Sequence, residues 1–294
     1  MKRRLIALAI QGPSNRAMMM VSAARFAAIS RRELVLCWHP RLYRYSVDDG
    51  VTLGCDWFDG PFPYGDFFDE KIEQIGLAEA YKLDWLPDSA DHSNWDRTGI
   101  DPDDPRPDLV VSGWRMIHTP GEPDLEWIET ATPAQREVID QICRFSPLIT
   151  PNRDIRAEAT RQAEKLGIGR RTLGIQIRRQ HDHSGLTKVS QFYEAAGELA
   201  KSASNCFVCS DHPPTEAAAV EWLRGLGFPA TSRKRDGRGL WERTAAGDGL
   251  IDLLLLSYCG ILIGSGGSSF SEQAWLLGGA RDGAIKYVWP AAAG

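Results

Sequence analysis

The sequence runs to 294 residues, 43% hydrophobic and 25% charged, enough to enclose two cores of ordinary size. A net charge of −5 argues against a general nucleic-acid or anionic-membrane binder, because a phosphate-rich surface demands a basic face. Six cysteines, at 37, 55, 143, 206, 209 and 259, are too sparse for a disulfide framework and point to a reducing, cytoplasmic compartment.

In chain order, MKRRLIALAI opens like a signal peptide, but its apolar stretch is short and ends at polar Gln11, so it reads as a first strand. The loop QGPSNR, an amphipathic helix over 16–30 and the strand ELVLCW at 33–38 complete a βαβ unit. From Tyr43 to Pro107 the pattern weakens, and 88–108 reads as a long polar loop. A strand at 108–114 and a helix at 133–145 follow.

After residue 150 the alternation is regular. Helices are predicted at 153–166, 189–201, 214–226, 248–258 and from 269, with strands at 172–177, 205–210, 228–232, 260–264 and 284–289. The apolar run 250–264 is interrupted by Asp252, Ser257 and Gly260, so no membrane span is expected. Such alternation calls for parallel sheets covered on both faces. The expected organisation is α/β, with a domain over 1–150 and a second over 151–294. In sheets of this kind ligands sit beyond the carboxyl ends of strands, so the residues following each strand are the candidates.

Arg178 and Arg179 follow the strand 172–177 and point to opposite faces of it, which gives them different jobs. A guanidinium grips phosphate or carboxylate bidentately; the alternative is a pair of salt bridges, to Asp182 or Asp211. Asp211 stands after the next strand, either as an acceptor for a nucleotide hydroxyl or base or as the cap of the following helix. The strand 260–264 runs into Ser265, Gly266, Gly267, Ser268 and Ser269. There Ser269-x-x-Glu272 reads as a capping box, and the turn offers backbone N–H groups to an anion.

Asn15 and Arg16 in the first loop, and His39 after the second strand, are candidates for the acceptor side; capping is the bland alternative for His39. The histidines of HDH at 181–183 have no evident third partner, and the acidic run at 101–104 follows no strand, so no metal site is expected. Cys206 and Cys209, three apart on one strand, face opposite ways and read as packed thiols. Aromatic residues between 57 and 95 serve either as a local core or as sugar-stacking rings.

These pieces resemble a family. GIQIRRQ is similar to the G-[IV]-H-[IV]-R-R-[ST]-D motif of the GDP-fucose-dependent fucosyltransferases related to the nodulation and core α-1,6 enzymes. FVCSD and DLLLLSYCGILIGSGGSSFSE resemble their second and third motifs, and GPSNRAMMMVSAARF their N-terminal start. Residues 41–107 have no counterpart and read as an insertion.

The resemblance implies a GT-B arrangement, two Rossmann-like doubly wound domains facing a cleft, and inverting transfer without a metal or other cofactor. The donor would be GDP-fucose or another nucleotide sugar, and the acceptor a glycan, peptide or small molecule. Arg178 and Arg179 become catalytic diphosphate contacts, Asp211 and Asp252 nucleotide-side or arginine-orienting carboxylates, Gln176 a donor-binding residue, and Ser268 with Ser269 the phosphate turn. The sequence departs from the motif where Gln176 replaces its histidine and Gln180-His181 its Thr-Asp. Those departures keep two alternatives open, a different nucleotide sugar or a catalytically silent binding protein.

Overall fold

The computed structural model describes residues 2–9, 12–38, 43–46, 50–53, 62–80, 82–83, 99–113, 116–179, 187–233 and 246–290. Two compact units divide the chain, one of residues 1–126 with 132–152 and one of 127–131 with 153–294.

The first unit opens with β1 (Arg4–Ala9), α1 (Pro13–Ile29) and β2 (Glu33–Cys37). Leu5, Ile6 and Leu8 are fully buried, each contributing roughly 1.5–3 kcal/mol on removal from water. Pro13 sits at the start of α1, where a missing N–H costs nothing, and Met18 to Ala27 are buried on every side of the helix. Next come a hairpin of β3 (Tyr43–Ser46) and β4 (Gly50–Leu53), the short helix α2 (Tyr64–Phe67), β5 (Glu73–Gln74) and α3 (Leu77–Ala80). The unit ends with β6 (Asp108–Gly113) and α4 (Pro133–Cys143). Its sheet runs β5-β2-β1-β6, all parallel. The hairpin and the short elements were not predicted, being too brief to show a period within the proline- and aspartate-rich stretch.

In the second unit α5 (Arg153–Leu166), β7 (Thr172–Ile177), α6 (Val189–Leu199), β8 (Asn205–Ser210) and α7 (Pro213–Gly225) alternate as expected. They are followed by β9 (Ala230–Thr231), α8 (Ala246–Tyr258), β10 (Ile261–Ser265), α9 (Ser269–Leu277) and β11 (Ile285–Val288). The sheet order is β11-β10-β7-β8-β9, again all parallel. Every residue of β7 is buried, as a central strand covered on both faces must be. On one face Ile175, Ile177 and Val208 pack with Phe192 of α6 and Leu223 of α7.

Candidate functional site

Parallel pairing of β10 with β7 and of β7 with β8 brings three strand ends to one edge of the second unit's sheet. The Arg178 amide donates to Ser265 Oγ at 2.9 Å, and that hydroxyl donates to the Gln176 carbonyl at 3.3 Å. The Arg179 amide donates to Asp211 Oδ1 at 2.7 Å. Residues 178–179, 211 and 265 are therefore one hydrogen-bonded cluster built from three βα junctions.

The turn after β10 is tight. The Ser268 amide donates to the Ser265 carbonyl at 3.1 Å, and Gly267 takes a left-handed φ of 78°, which glycine adopts without penalty. Ser268 occupies the N-cap position of α9 but its side chain caps nothing; its hydroxyl is wholly buried and has no partner among the described residues. The expected Ser269-x-x-Glu272 capping box does not form: the N-cap is Ser268, one residue earlier, and Glu272 Oε1 accepts from the Trp127 amide at 3.2 Å. The amides of Gly267, Ser269 and Phe270 have no hydrogen-bond partner among the described residues. Open N–H groups at a positive helix end, with a buried hydroxyl beside them, form a place for an anion.

The two arginines stand in different surroundings. Burial pushes the Arg178 guanidinium below its ordinary pKa, with Asp211 opposing the shift, and a guanidinium so placed still carries its charge at neutral pH. Nη1 of Arg179 donates to the Thr187 carbonyl at 3.0 Å. Asp211 does not cap α7; that position falls to His212, whose ring meets Thr215 Oγ1 at 2.7 Å.

Gln176 is turned into the protein. Its Oε1 accepts from Ser271 Oγ at 2.8 Å and, more loosely, from the Ser265 amide at 3.4 Å, so it braces the turn against β7. Asp252, on α8, is buried and accepts from Arg233 Nε at 2.7 Å; Arg233 also donates to Asp248 Oδ1 at 2.9 Å. Arg233 was missed by sequence reasoning, because the strand it follows, β9, is two residues long. A basic residue directly after a strand was the available signal.

On the first unit, Arg16 is wholly buried and its guanidinium lies over the Trp38 ring at 4.8 Å, an arrangement that leaves it no path to solvent. Asn15 is half-buried at the start of α1. His39 lies outside the described residues, as do the HDH segment, Gln180, Trp57, Phe58, Trp85 and Trp95. Phe62, Tyr64 and Phe68 are buried around Trp38 at centroid distances of 5.5–6.0 Å, a local core. Asp104 is occupied by Arg106 at 2.6 Å, which holds its carboxyl down to about 2. Cys206 and Cys209 are buried and form no disulfide among the described residues. His118, also unpredicted, is buried near Glu122 and Arg25, and its Nδ1 has no partner among the described residues. Among the described residues no group of three His, Cys, Asp or Glu converges, and no helix is long and apolar enough to cross a membrane.

No protein-family model matches the chain, and no curated protein matches it by sequence. Solved structures do. Fucosyltransferase NodZ from Bradyrhizobium aligns with a TM-score of 0.57 at 18% identity, covering 94% of each chain. A mutant of Arabidopsis thaliana FUT1 in complex with GDP aligns at 0.61 and 14% identity, covering 98% of this chain and 70% of its own. POFUT1 in complex with GDP aligns at 0.52 and 13% identity over 98% of both. NodZ, described as an α-1,6-fucosyltransferase, also matches in crystals soaked with GDP-fucose, at 0.55 and 19% identity. The α/β fold with parallel sheets expected from the sequence is thus the fold of these fucosyltransferases, and the likeness in fold covers nearly the whole chain.

Proposed function

We propose that the protein is an inverting glycosyltransferase that holds the diphosphate of a nucleotide sugar at the carboxyl edge of the second unit's sheet, with GDP-fucose as donor and the first unit serving the acceptor. The observation that carries this is the serine–glycine turn, whose open amides and buried Ser268 hydroxyl follow directly on Ser265, the residue that accepts from the Arg178 amide. Structures of the same fold are solved in complex with GDP, and one was soaked with GDP-fucose, which favours that donor over other nucleotide sugars.

The chemistry asks for little more. An acceptor hydroxyl attacks the anomeric carbon from the side opposite the phosphate and its proton leaves to a base. The bond from that carbon to the β-phosphate oxygen breaks, and the electron pair stays on the oxygen. Negative charge grows there while the sugar becomes oxocarbenium-like, so donors already in place gain strength as the reaction proceeds. Arg178 supplies a fixed cation and the turn supplies amides, which is why we assign the reaction no metal. Arg179 and Asp211 set the end of β7, Gln176 braces the turn, and Asp252 orients Arg233 on the nucleotide side.

A silent binding protein is the competing reading, favoured by Gln176, whose carbonyl oxygen is committed to Ser271. Thermal shifts with GDP, GDP-fucose and other nucleotide sugars, followed by assay of GDP release, separate the readings. A ligand that binds only the folded state raises stability as ln(1 + [L]/Kd). Stabilisation by GDP-fucose with GDP release supports the proposal; stabilisation without release supports the silent binder, and no stabilisation by any nucleotide rejects both.

A further inference from the structure

Beside the serine–glycine turn stands a side chain that none of the chemistry above uses. Trp289 follows β11, the edge strand next to β10, and is 45% exposed. It is nonetheless firmly placed. Its indole lies so close to Gly266 that a Cβ there would collide with the ring. Its edge meets Trp127 at 5.7 Å and 89°, and its carbonyl accepts from Gln191 Nε2 at 2.9 Å. Trp127 is itself held at a φ of 54°, a left-handed conformation costly for a bulky residue, by Glu272 and by edge contact with Tyr287 at 5.5 Å. Strain of this kind persists only where surrounding contacts over-determine it, and it collects at binding sites.

We propose that Trp289 is the stacking platform for the sugar ring of the donor, an inference that rests on the donor-site reading above. A nucleotide sugar is linear, with the diphosphate between base and sugar. Seated over β7 and β10, its two ends extend along the sheet edge in opposite directions. Toward β8 and β9 stand Asp211 and the Arg233–Asp252 pair, polar groups matched to ribose hydroxyls and base edges. Toward β11 stands the indole, an apolar rigid plane matched to the C–H face of a pyranose. The sugar, not the base, belongs there.

The test compares GDP with GDP-fucose on the wild type, Trp289→Phe and Trp289→Leu by titration calorimetry; both variants keep bulk against Gly266. GDP lacks the sugar and reports whether the turn is intact. The expected result is unchanged GDP affinity throughout, with GDP-fucose weakened about five- to tenfold in Trp289→Leu and much less in Trp289→Phe. Equal weakening of both ligands, or of neither, overturns the assignment while leaving the donor site standing. A wild type that binds neither ligand removes the donor reading and this inference together.

Discussion

The Arg178 amide and the Ser265 hydroxyl meet at 2.9 Å, and the same hydroxyl reaches the Gln176 carbonyl, so one buried side chain ties the end of β7 to the end of β10. Replacing it leaves a buried donor and acceptor unsatisfied, a loss that runs at ~1–3 kcal/mol. Ser265→Ala should therefore lower stability in urea by that amount and loosen the arginine that follows. An unchanged unfolding midpoint would show that the tie is dispensable.

Arg178→Ala should reduce turnover by ~10²–10³, about 3–4 kcal/mol, the usual loss when one preorganised donor to developing charge is removed. Arg178→Lys should recover only part of this, since an ammonium is a point charge without the planar fork. Arg179→Ala removes a tether to the Thr187 carbonyl and should cost less in turnover than Arg178→Ala. Transfer measured at saturating donor decides the order; equal losses would mean that both side chains contact the diphosphate.

The regular half of the chain was legible because its strands are buried on both faces and its helices are long. β7 and β8 fall at the predicted residues, and α5 does as well. One boundary drifted where a last turn tightened, after α6, where Ala200–Ser202 is a 3-10 turn, and another at a first turn, where α1 begins at Pro13 rather than Arg16. At the site, the arginine pair and the serine–glycine turn were visible as residues following strands. The failed capping box was not, because the N-cap falls one residue earlier, at Ser268, and the partner of Glu272 is Trp127, far away in sequence. Arg233 was hidden for the same kind of reason: its partners, Asp248 and Asp252, lie on the next helix, and nothing local announces the pairing.

That pairing makes its own prediction. Arg233 and Asp252 are both nearly buried, and removing one partner strands the other's charge in a poorly solvated place, typically at a cost of about 3–5 kcal/mol. Arg233→Met should therefore destabilise strongly, and Arg233→Met with Asp252→Leu should be more stable than the single variant. A double-mutant cycle in denaturant reads the difference; additive losses would show that the two side chains act independently.

His118 gives the first unit a pH dependence of its own. Burial holds its pKa below the ordinary 6.5, outweighing the pull of Glu122, Asp124 and Glu126, while Arg25 adds to the depression. The folded protein thus prefers the neutral ring, and the unfolded chain binds the proton more readily. Stability is full above about pH 6.5 and falls as the pH drops below it, levelling once the folded state protonates too. Burial pushes the Glu122 carboxyl up, but hydrogen bonds from Arg25 and Thr119 and the Arg25 charge together hold it below its ordinary 4.5, which adds a separate loss that begins only at more acid pH. Unfolding midpoints at about pH 7.5 and pH 5.5 isolate the histidine: the wild type should lose stability between them, and His118→Gln should lose less. The same drop in both proteins would place the acid sensitivity elsewhere.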